Sequence, residues 1–240
     1  MPSSPGGRRS ARTGWNGRPA AVLWDMDGTL VDTEPYWMEA EQVLVAEHGG
    51  TWSQEDAHAL IGNPLMVSAE YLRRHAGVDL EPVVIVERLL AHVVDRVRHS
   101  IPWRPGAREL LDELTERGVP CALVTMSWTS LAHAVLSRLP EGTFAAVVTG
   151  DAVQHGKPHP EPYLRAAERL GVDPRACVAI EDSITGLTSA EAAGATTIGV
   201  PHLLPIPPAP RRVVVPSLTD VDVARVIDLH GSADAGVSET

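Results

Sequence analysis

Residues 20–30 read Ala-Ala-Val-Leu-Trp-Asp-Met-Asp-Gly-Thr-Leu, an apolar run followed by two acidic residues and a glycine. The run 20–24 is short and continuous, which is typical of a strand that is buried on both faces of a parallel sheet. Ligands of open parallel sheets bind beyond the carboxyl ends of the strands, so Asp25 lies where a site is expected. Because residues i and i+2 of an extended segment point the same way, we expect Asp25 and Asp27 to share one pocket.

Further short apolar runs alternate with helical patterns along the rest of the chain. The strand candidates are 20–24, 119–124, 144–148, 177–180, 196–200 and 213–215, and the helical patterns between them are 107–117, 129–139, 161–170 and 186–193. Each strand candidate is continuous and apolar, as strands covered on both faces are. The alternation of strand and helix predicts an α/β fold with a Rossmann-like, doubly wound parallel sheet.

The stretch 34–103 interrupts this alternation, because it carries helical patterns and no strand pattern. Its clearest part follows Pro82, where apolar residues between Val86 and Val97 recur at the i, i+3, i+4, i+7 spacing of a helix face. We therefore predict a helical cap over 34–103, inserted into a core that is formed by 19–33 and 104–230.

The composition restricts the class of protein. The chain has 240 residues, of which 44% are hydrophobic and 21% charged, and its net charge is -11. An acidic chain is a poor binder of nucleic acid, and no apolar run reaches the roughly 20 residues that span a membrane. The two cysteines cannot form a disulfide framework, and the N-terminus lacks a secretory signal profile. We expect a cytoplasmic monomer or small homo-oligomer that binds neither nucleic acid nor membrane.

The two ends of the chain differ from the middle. Residues 1–18 contain Pro, Ser, Gly and four arginines, without an acidic residue or an apolar period. This composition predicts a disordered tail. Residues 231–240 are interpreted as a second frayed end.

Polar residues also follow other predicted strands. Thr125 and Ser127 follow the second strand candidate, and Glu181 and Asp182 follow the fourth. Lys157 lies in the loop before the helix that leads into this fourth strand, and it is the single lysine beside 19 arginines. A compact ammonium and a planar guanidinium are not equivalent, so a lone lysine indicates a place where arginine does not serve.

Four carboxylates, those of Asp25, Asp27, Glu181 and Asp182, are thus expected at one edge of the sheet. They repel one another unless a cation compensates them, and Mg²⁺ is the natural cation because it prefers oxygen ligands. A phosphate group suits such a site once the metal is bound. One aspartate can then attack phosphorus, and a second can act as general acid and base.

These segments together resemble the four motifs of the haloacid dehalogenase superfamily, over roughly residues 19–228. The matching segments are DMDGTLVDTEP (25–35), VTMS (124–127), GKPHPEPY (156–163) and IEDSITG (180–186). The position of the helical insert resembles the branch that includes sugar-phosphate phosphatases and β-phosphoglucomutase.

The resemblance implies a role for each matching residue. Asp25 would be the nucleophile and Asp27 the general acid and base, Thr125 would bind the transferring phosphoryl group, and Lys157 would bridge that group and Asp25. Mg²⁺ would be held by the carboxylates of Asp25, Asp182 and Glu181 and by the backbone carbonyl of Asp27.

Substrate contacts are expected from Thr125, Ser127 and Lys157 in the core and from Trp37 and Asn63 in the cap. The expected activity is Mg²⁺-dependent hydrolysis of a small phosphorylated metabolite, such as a sugar or polyol phosphate, through an aspartyl-phosphate. A phosphomutase is an alternative, although the cap segment 61–66 offers no charge to clamp a second phosphate. A non-catalytic phosphate-binding module is a further alternative.

The spacing His155-x₃-His159 is that of a helical metal-binding pair. The prolines around these histidines exclude a helix there, so both are interpreted as loop residues.

Overall fold

A computed structural model of the chain describes residues 18–61 and 63–235, and a six-stranded sheet forms their centre. The strands, in chain order, are β1 Ala21–Trp24, β2 Cys121–Val124, β3 Ala146–Val148, β4 Cys177–Glu181, β5 Thr196–Gly199 and β6 Arg212–Val214. All neighbouring strands pair in parallel, in the order β3-β2-β1-β4-β5-β6. The predicted parallel α/β sheet is confirmed. The tail predicted over 1–18 lies, apart from Arg18, outside the described residues.

Nine α-helices belong to the described part of the chain. Four lie between β1 and the rest of the core, namely α1 Glu34–Glu47, α2 Gln54–His58, α3 Leu65–His75 and α4 Pro82–His99. The other five are α5 Ala107–Glu116, α6 Thr129–Leu136, α7 Glu161–Leu170, α8 Ile184–Ala193 and α9 Val223–Ala235. The predicted frayed end 231–240 is therefore wrong for 231–235, which continue the last helix.

Both faces of the sheet are covered, as in a doubly wound fold. Val22 and Trp24 of β1 point into a large apolar cluster that includes residues of α5, α6 and α9. Ala21 and Leu23 point the other way, into a smaller cluster with α7 and α8. The expectation of burial on both faces is wrong for the two edge strands, because Val147 of β3 is partly exposed and Val214 of β6 is 37% exposed.

The four helices between β1 and α5, called the helical insert below, pack onto the core. Seven residues of α4 are buried, and six of them, between Val86 and Val97, form the stripe that the sequence predicts. This helix packs against α1 and α3 within the insert and against α6 in the core. Insert and core therefore share one continuous apolar cluster.

The chain enters and leaves the helical insert through two adjacent linkers. Val31 forms an antiparallel bridge with Trp103. The backbone N–H of Asp32 donates to the carbonyl of Pro102 at 2.8 Å. The two ends of the insert are thus held side by side at the edge of the sheet where the strands end.

Neither a membrane span nor a disulfide is found among the described residues. None of their helices is long and apolar enough to cross a membrane. Cys121 and Cys177 are both free and buried, and burial raises the pKa of each thiol to about 12. Both cysteines are therefore unreactive residues of the core.

Candidate active site

The parallel sheet brings the predicted site residues to one edge. Asp25 follows β1 and continues its pairing, because its backbone N–H donates to the Ile180 carbonyl at 3.0 Å. Thr125 follows β2, and Glu181 is the last residue of β4. The loop between β3 and α7 brings the Lys157 side chain to the same place. The four sequence segments therefore do converge, as predicted.

Lys157 is the centre of this convergence. Its ammonium nitrogen lies 2.6 Å from Asp25 Oδ1, 2.7 Å from Glu181 Oε1 and 2.8 Å from the Val124 carbonyl oxygen. An ammonium has three N–H donors, and each one finds an acceptor here. The lysine side chain is 5% exposed, so these bonds form out of contact with bulk water. Lys157 thus contacts Asp25, and its bridging of Asp25 to a phosphoryl group stays a prediction.

Tyr163 completes the surroundings of Lys157, although the sequence did not single it out. Its hydroxyl donates to Glu181 Oε1 at 2.6 Å, and the Lys157 nitrogen lies 5.2 Å from the centre of its ring. The tyrosine is fully buried in the first turn of α7. A buried tyrosine hydroxyl needs a hydrogen-bond partner. This general rule is the only feature of the sequence that could have indicated a polar contact for Tyr163.

The Asp27 carboxylate is surrounded by hydroxyl groups. Thr33 donates to its Oδ1 at 2.6 Å, and Thr125 and Ser127 donate to its Oδ2 at 3.0 and 2.8 Å. Thr125 and Ser127 thus contact Asp27 here, and their binding of a phosphoryl group stays a prediction. Thr33 was not among the expected site residues, because its partner becomes apparent only when the turn after β1 is known.

The centre of the site carries an excess of negative charge. Burial, and then the charge of Glu181, raise the pKa of Asp25 to about 7, although Lys157 opposes the shift. Burial and the charges of Asp25 and Glu181 also raise the pKa of Asp182 well above its ordinary value. Burial alone lowers the pKa of Lys157, but the two carboxylates outweigh burial and raise that pKa overall.

This charge and one unpaired oxygen fit a divalent cation. Asp25 Oδ2 is buried, and among the described residues it has no hydrogen-bond partner. One oxygen atom each of Asp25, Glu181 and Asp182 lies within 4.8 Å of the others. Oxygen atoms so placed are ligands of the kind that hard divalent cations take. The residues present therefore fit a metal ion, and a cation would offset the repulsion that raises these pKa values.

Two glycines make room for these carboxylates. Gly28 has a φ of +88°, and a Cβ atom there would lie 2.1 Å from Asp182 Oδ2. A Cβ atom on Gly186 would lie 1.8 Å from Glu181 Oε1. The backbone thus approaches both acidic groups more closely than any other residue type allows.

The two residues expected to contact substrate from the helical insert lie in different surroundings. Trp37 is half-buried in α1 and packs against the large apolar cluster. Asn63 is exposed, and its side-chain amide donates to the Ala59 carbonyl. The substrate contacts of both residues stay predictions.

The chain is similar to several known proteins. Hexitol phosphatase B of Escherichia coli (strain K12) is 33% identical over 184 residues, which cover 75% of this chain and 83% of the relative. Fructose-1-phosphate phosphatase YqaB of the same strain is 32% identical over 184 residues, with coverages of 76% and 97%. The crystal structure of CbbY from Rhodobacter sphaeroides in complex with phosphate matches with a TM-score of 0.76 at 27% identity and covers 84% of this chain and 96% of that one.

The family follows from a match over most of the chain. A family model described as haloacid dehalogenase-like hydrolase matches residues 22–200, which include all four segments of the site. The order of the segments, the parallel sheet and the helical insert after β1 agree with this match. The chain belongs to the haloacid dehalogenase-like hydrolases.

Proposed function

We propose that the chain is a Mg²⁺-dependent phosphatase that hydrolyses a small phosphomonoester, a sugar, polyol or similar metabolite phosphate, through an aspartyl-phosphate intermediate. Hydrolysis of a phosphomonoester is the reaction class of relatives such as hexitol phosphatase B. The observation that carries the proposal is the asymmetry of Asp25, whose Oδ1 accepts from Lys157 while Oδ2 has no partner in the described structure. Lys157 thus orients the carboxylate, and the proposed metal and the phosphoryl group would each take one of its two oxygens.

In the first step one carboxylate oxygen of Asp25 attacks the phosphorus atom of the substrate. A bond forms between this oxygen and phosphorus, the ester bond between phosphorus and the leaving oxygen breaks, and Asp27 gives a proton to the leaving oxygen. In the second step Asp27 takes a proton from a water molecule, whose oxygen attacks phosphorus. The bond to Asp25 breaks, inorganic phosphate leaves, and both aspartates return to their first state.

The charges around Asp25 support this chemistry. Lys157 fixes the orientation of the nucleophile and brings a positive charge close to the reacting phosphoryl group. A bound Mg²⁺ supplies further positive charge, and we propose that Asp25, Asp182 and the Asp27 carbonyl hold it. Glu181 belongs to the same group of oxygens, but its Oε1 also accepts from Lys157 and Tyr163. Glu181 therefore links metal binding to the position of the lysine.

Asp27 must change partners before it can act as an acid. Its two carboxylate oxygens accept from Thr33, Thr125 and Ser127. To reach a leaving oxygen, the carboxyl has to give up at least one of these bonds. Thr125 and Ser127 are then free to donate to the phosphoryl group, which is the role that we propose for them.

Phosphomutase activity is the second candidate, and the helical insert argues against it. A mutase has to hold a second phosphate, whereas the described residues of the 61–66 segment carry no charge. A non-catalytic module is disfavoured because Asp25, Asp27 and Lys157 are all present. The cytoplasmic location and the small oligomer stay predictions.

The test is the release of inorganic phosphate from a panel of phosphorylated sugars, polyols and other metabolites, with Mg²⁺ or with EDTA. We expect Mg²⁺-dependent release by the unaltered protein and none by Asp25→Asn, because an amide cannot replace the nucleophile. A cooperative melting transition and an unaltered circular dichroism spectrum of the variant are the control for folding. Substantial residual turnover in Asp25→Asn would refute the assignment. Isomerised product without free phosphate would instead establish the mutase.

A further inference from the structure

A second group of possible metal ligands lies outside the carboxylate cluster, and the proposed function does not use it. His155, His159 and Glu161 each offer one ligand atom, and these atoms lie within 4.8 Å of one another. His155 Nδ1 is 3.0 Å from Glu161 Oε2, and the two imidazole rings lie 4.7 Å apart, centre to centre. Both histidines are loop residues, as the sequence indicated, but the loop folds them onto the first residue of α7.

The Glu161 carboxylate is built into this loop. Its Oε1 accepts from the Gln154 backbone N–H at 2.9 Å and lies 2.8 Å from Arg165 Nη2. Its Oε2 accepts from the His155 backbone N–H at 2.9 Å and faces the His155 ring. The hydrogen bonds from these backbone N–H groups, with His155 and Arg165, lower the pKa of Glu161 to about 2. The group is therefore ionised and held in place.

We propose that His155, His159 and Glu161 form a binding site for a divalent transition-metal ion of the zinc or nickel kind. Metal bonds from imidazole nitrogen and carboxylate oxygen are about 2.1 Å long. Two ligand atoms 3.0 Å apart then subtend about 90° at the metal, as neighbouring ligands of an octahedral nickel ion do. The tetrahedral angle of zinc requires a separation of about 3.4 Å, so zinc binding would move these two atoms apart by about 0.4 Å. The cation takes the place of the contact between His155 Nδ1 and Glu161 Oε2, and water fills its remaining positions.

The ligand set selects a different metal from the one proposed for the active site. Imidazole nitrogen suits zinc, nickel and copper, whereas carboxylate and carbonyl oxygens suit magnesium. Coordination by His159 gives up one hydrogen bond, which its Nδ1 accepts from the Glu161 backbone N–H at 3.2 Å. Arg165 weakens the site by its charge, but it lies on Oε1, away from the oxygen that faces His155.

A metal ion bound by His155, His159 and Glu161 would restrain the loop that carries Lys157. Lys157 lies between the two histidines in sequence, while its ammonium is buried against Asp25. A metal that joins His155 and His159 to α7 therefore cross-links the loop that carries the lysine. A ligand that binds the folded chain alone raises its stability, so we expect Zn²⁺ to raise the melting temperature.

The test is calorimetric titration of tag-free protein with ZnCl₂ in an excess of Mg²⁺, which occupies the carboxylate cluster. We expect one zinc ion per chain, and affinity at least about tenfold weaker in His155→Ala and in His159→Ala. His99→Ala is the matched control, because His99 is exposed and lies 3.6 Å from the carboxylate of Asp95. This control should bind zinc as the unaltered protein does.

A second measurement keeps the test independent of the folding of any variant. Cu²⁺ bound to the unaltered protein should show nitrogen couplings of two imidazoles in electron paramagnetic resonance, and one in each histidine variant. Unchanged zinc affinity in both variants, or the absence of stoichiometric binding, would overturn the proposal. None of these residues belongs to the proposed phosphatase machinery, so failure here leaves that function standing.

Discussion

Lys157 is the single lysine among 20 basic residues, and its surroundings suit an ammonium group better than a guanidinium. Its three acceptors converge on one nitrogen atom at 2.6 to 2.8 Å. A guanidinium spreads its donors over a planar fork and is larger than an ammonium. It cannot meet three convergent acceptors in a pocket that leaves the lysine side chain 5% exposed.

We therefore expect Lys157→Arg to lose activity although it keeps the charge. The loss in kcat should be about 100-fold or more, as for the removal of other groups that stabilise charge in a transition state. Phosphate release under saturating substrate measures this loss, and circular dichroism shows whether the fold persists. A fully active arginine variant would contradict the argument from the single lysine.

Gly28 gives a second prediction at the same scale. An added Cβ would lie 2.1 Å from Asp182 Oδ2, so Gly28→Ala should displace a proposed metal ligand and weaken Mg²⁺ binding. Gly142→Ala is the matched control, because Gly142 has a φ of +83° and nothing lies within 4 Å of its Cβ position. Both variants strain the backbone to a similar degree. The Mg²⁺ concentration for half-maximal activity should rise in the first variant alone, and an equal rise in both would contradict the contact with Asp182.

Helix α1 carries a buried acidic residue, Glu41. Glu41 is 6% exposed, and its Oε2 accepts from Trp52 Nε1 at 3.0 Å. Burial raises the pKa of this carboxyl to about 7, and the hydrogen bond from Trp52 only partly opposes the shift. The folded chain thus binds the proton more tightly than the unfolded chain, and stability is lost as the pH rises from about 4.5 to about 7.

Glu41→Gln should therefore stabilise the protein above pH 7, because glutamine keeps an acceptor for Trp52 and carries no charge. We expect a gain in the free energy of unfolding of roughly 1 to 3 kcal/mol there, and no gain in acid, where Glu41 is neutral. Urea denaturation at both pH values measures the difference. Glu39→Gln on the same helix is the control, since its half-exposed side chain should change stability by less than about 0.5 kcal/mol. A gain independent of pH would rule out the buried charge as its cause.

The elements also show which parts of the structure a sequence predicts. Runs of apolar residues located all six strands of the described chain. Four of these strands are buried along their whole length, which leaves a strong pattern in the sequence. Ends of elements were less certain: α6 stops at Leu136, where the pattern continued to Leu139. In the site, Thr33 and Tyr163 were missed because their roles depend on partners distant from them in the fold. Asp25 and Lys157 were found because strand ends and rare residue types are visible in the sequence.

At the scale of the whole molecule, the dominant feature is an acidic centre in an acidic chain. The pKa of Asp25 is raised to about 7 by burial and by Glu181, so the metal-free folded chain retains a proton that the unfolded chain loses near pH 4. The metal-free protein therefore loses stability as the pH rises from about 4 to about 7.

Mg²⁺ should remove most of this loss, because it binds the ionised carboxylates of the folded chain. We expect the melting temperature in EDTA to fall across this pH range and to fall less with Mg²⁺. The comparison cancels the contributions of Glu34 and Glu41, whose pKa values are also raised to about 7 by burial. Melting curves measured across this pH range with and without Mg²⁺ test the prediction. Parallel pH profiles would show that the cation does not bind at the carboxylates around Asp25.

The paired linkers have a consequence for the history of the molecule. Val31 and Trp103 form a bridge, so the helical insert begins and ends at nearly the same point of the core. An inserted segment whose two ends lie close together can be replaced by another without moving the core residues on either side. The groups that we propose to break and form bonds lie outside this insert, on the strands and loops of the core. Replacement of the helical insert between Val31 and Trp103 can therefore change which metabolite is bound, while the core and its chemistry stay the same.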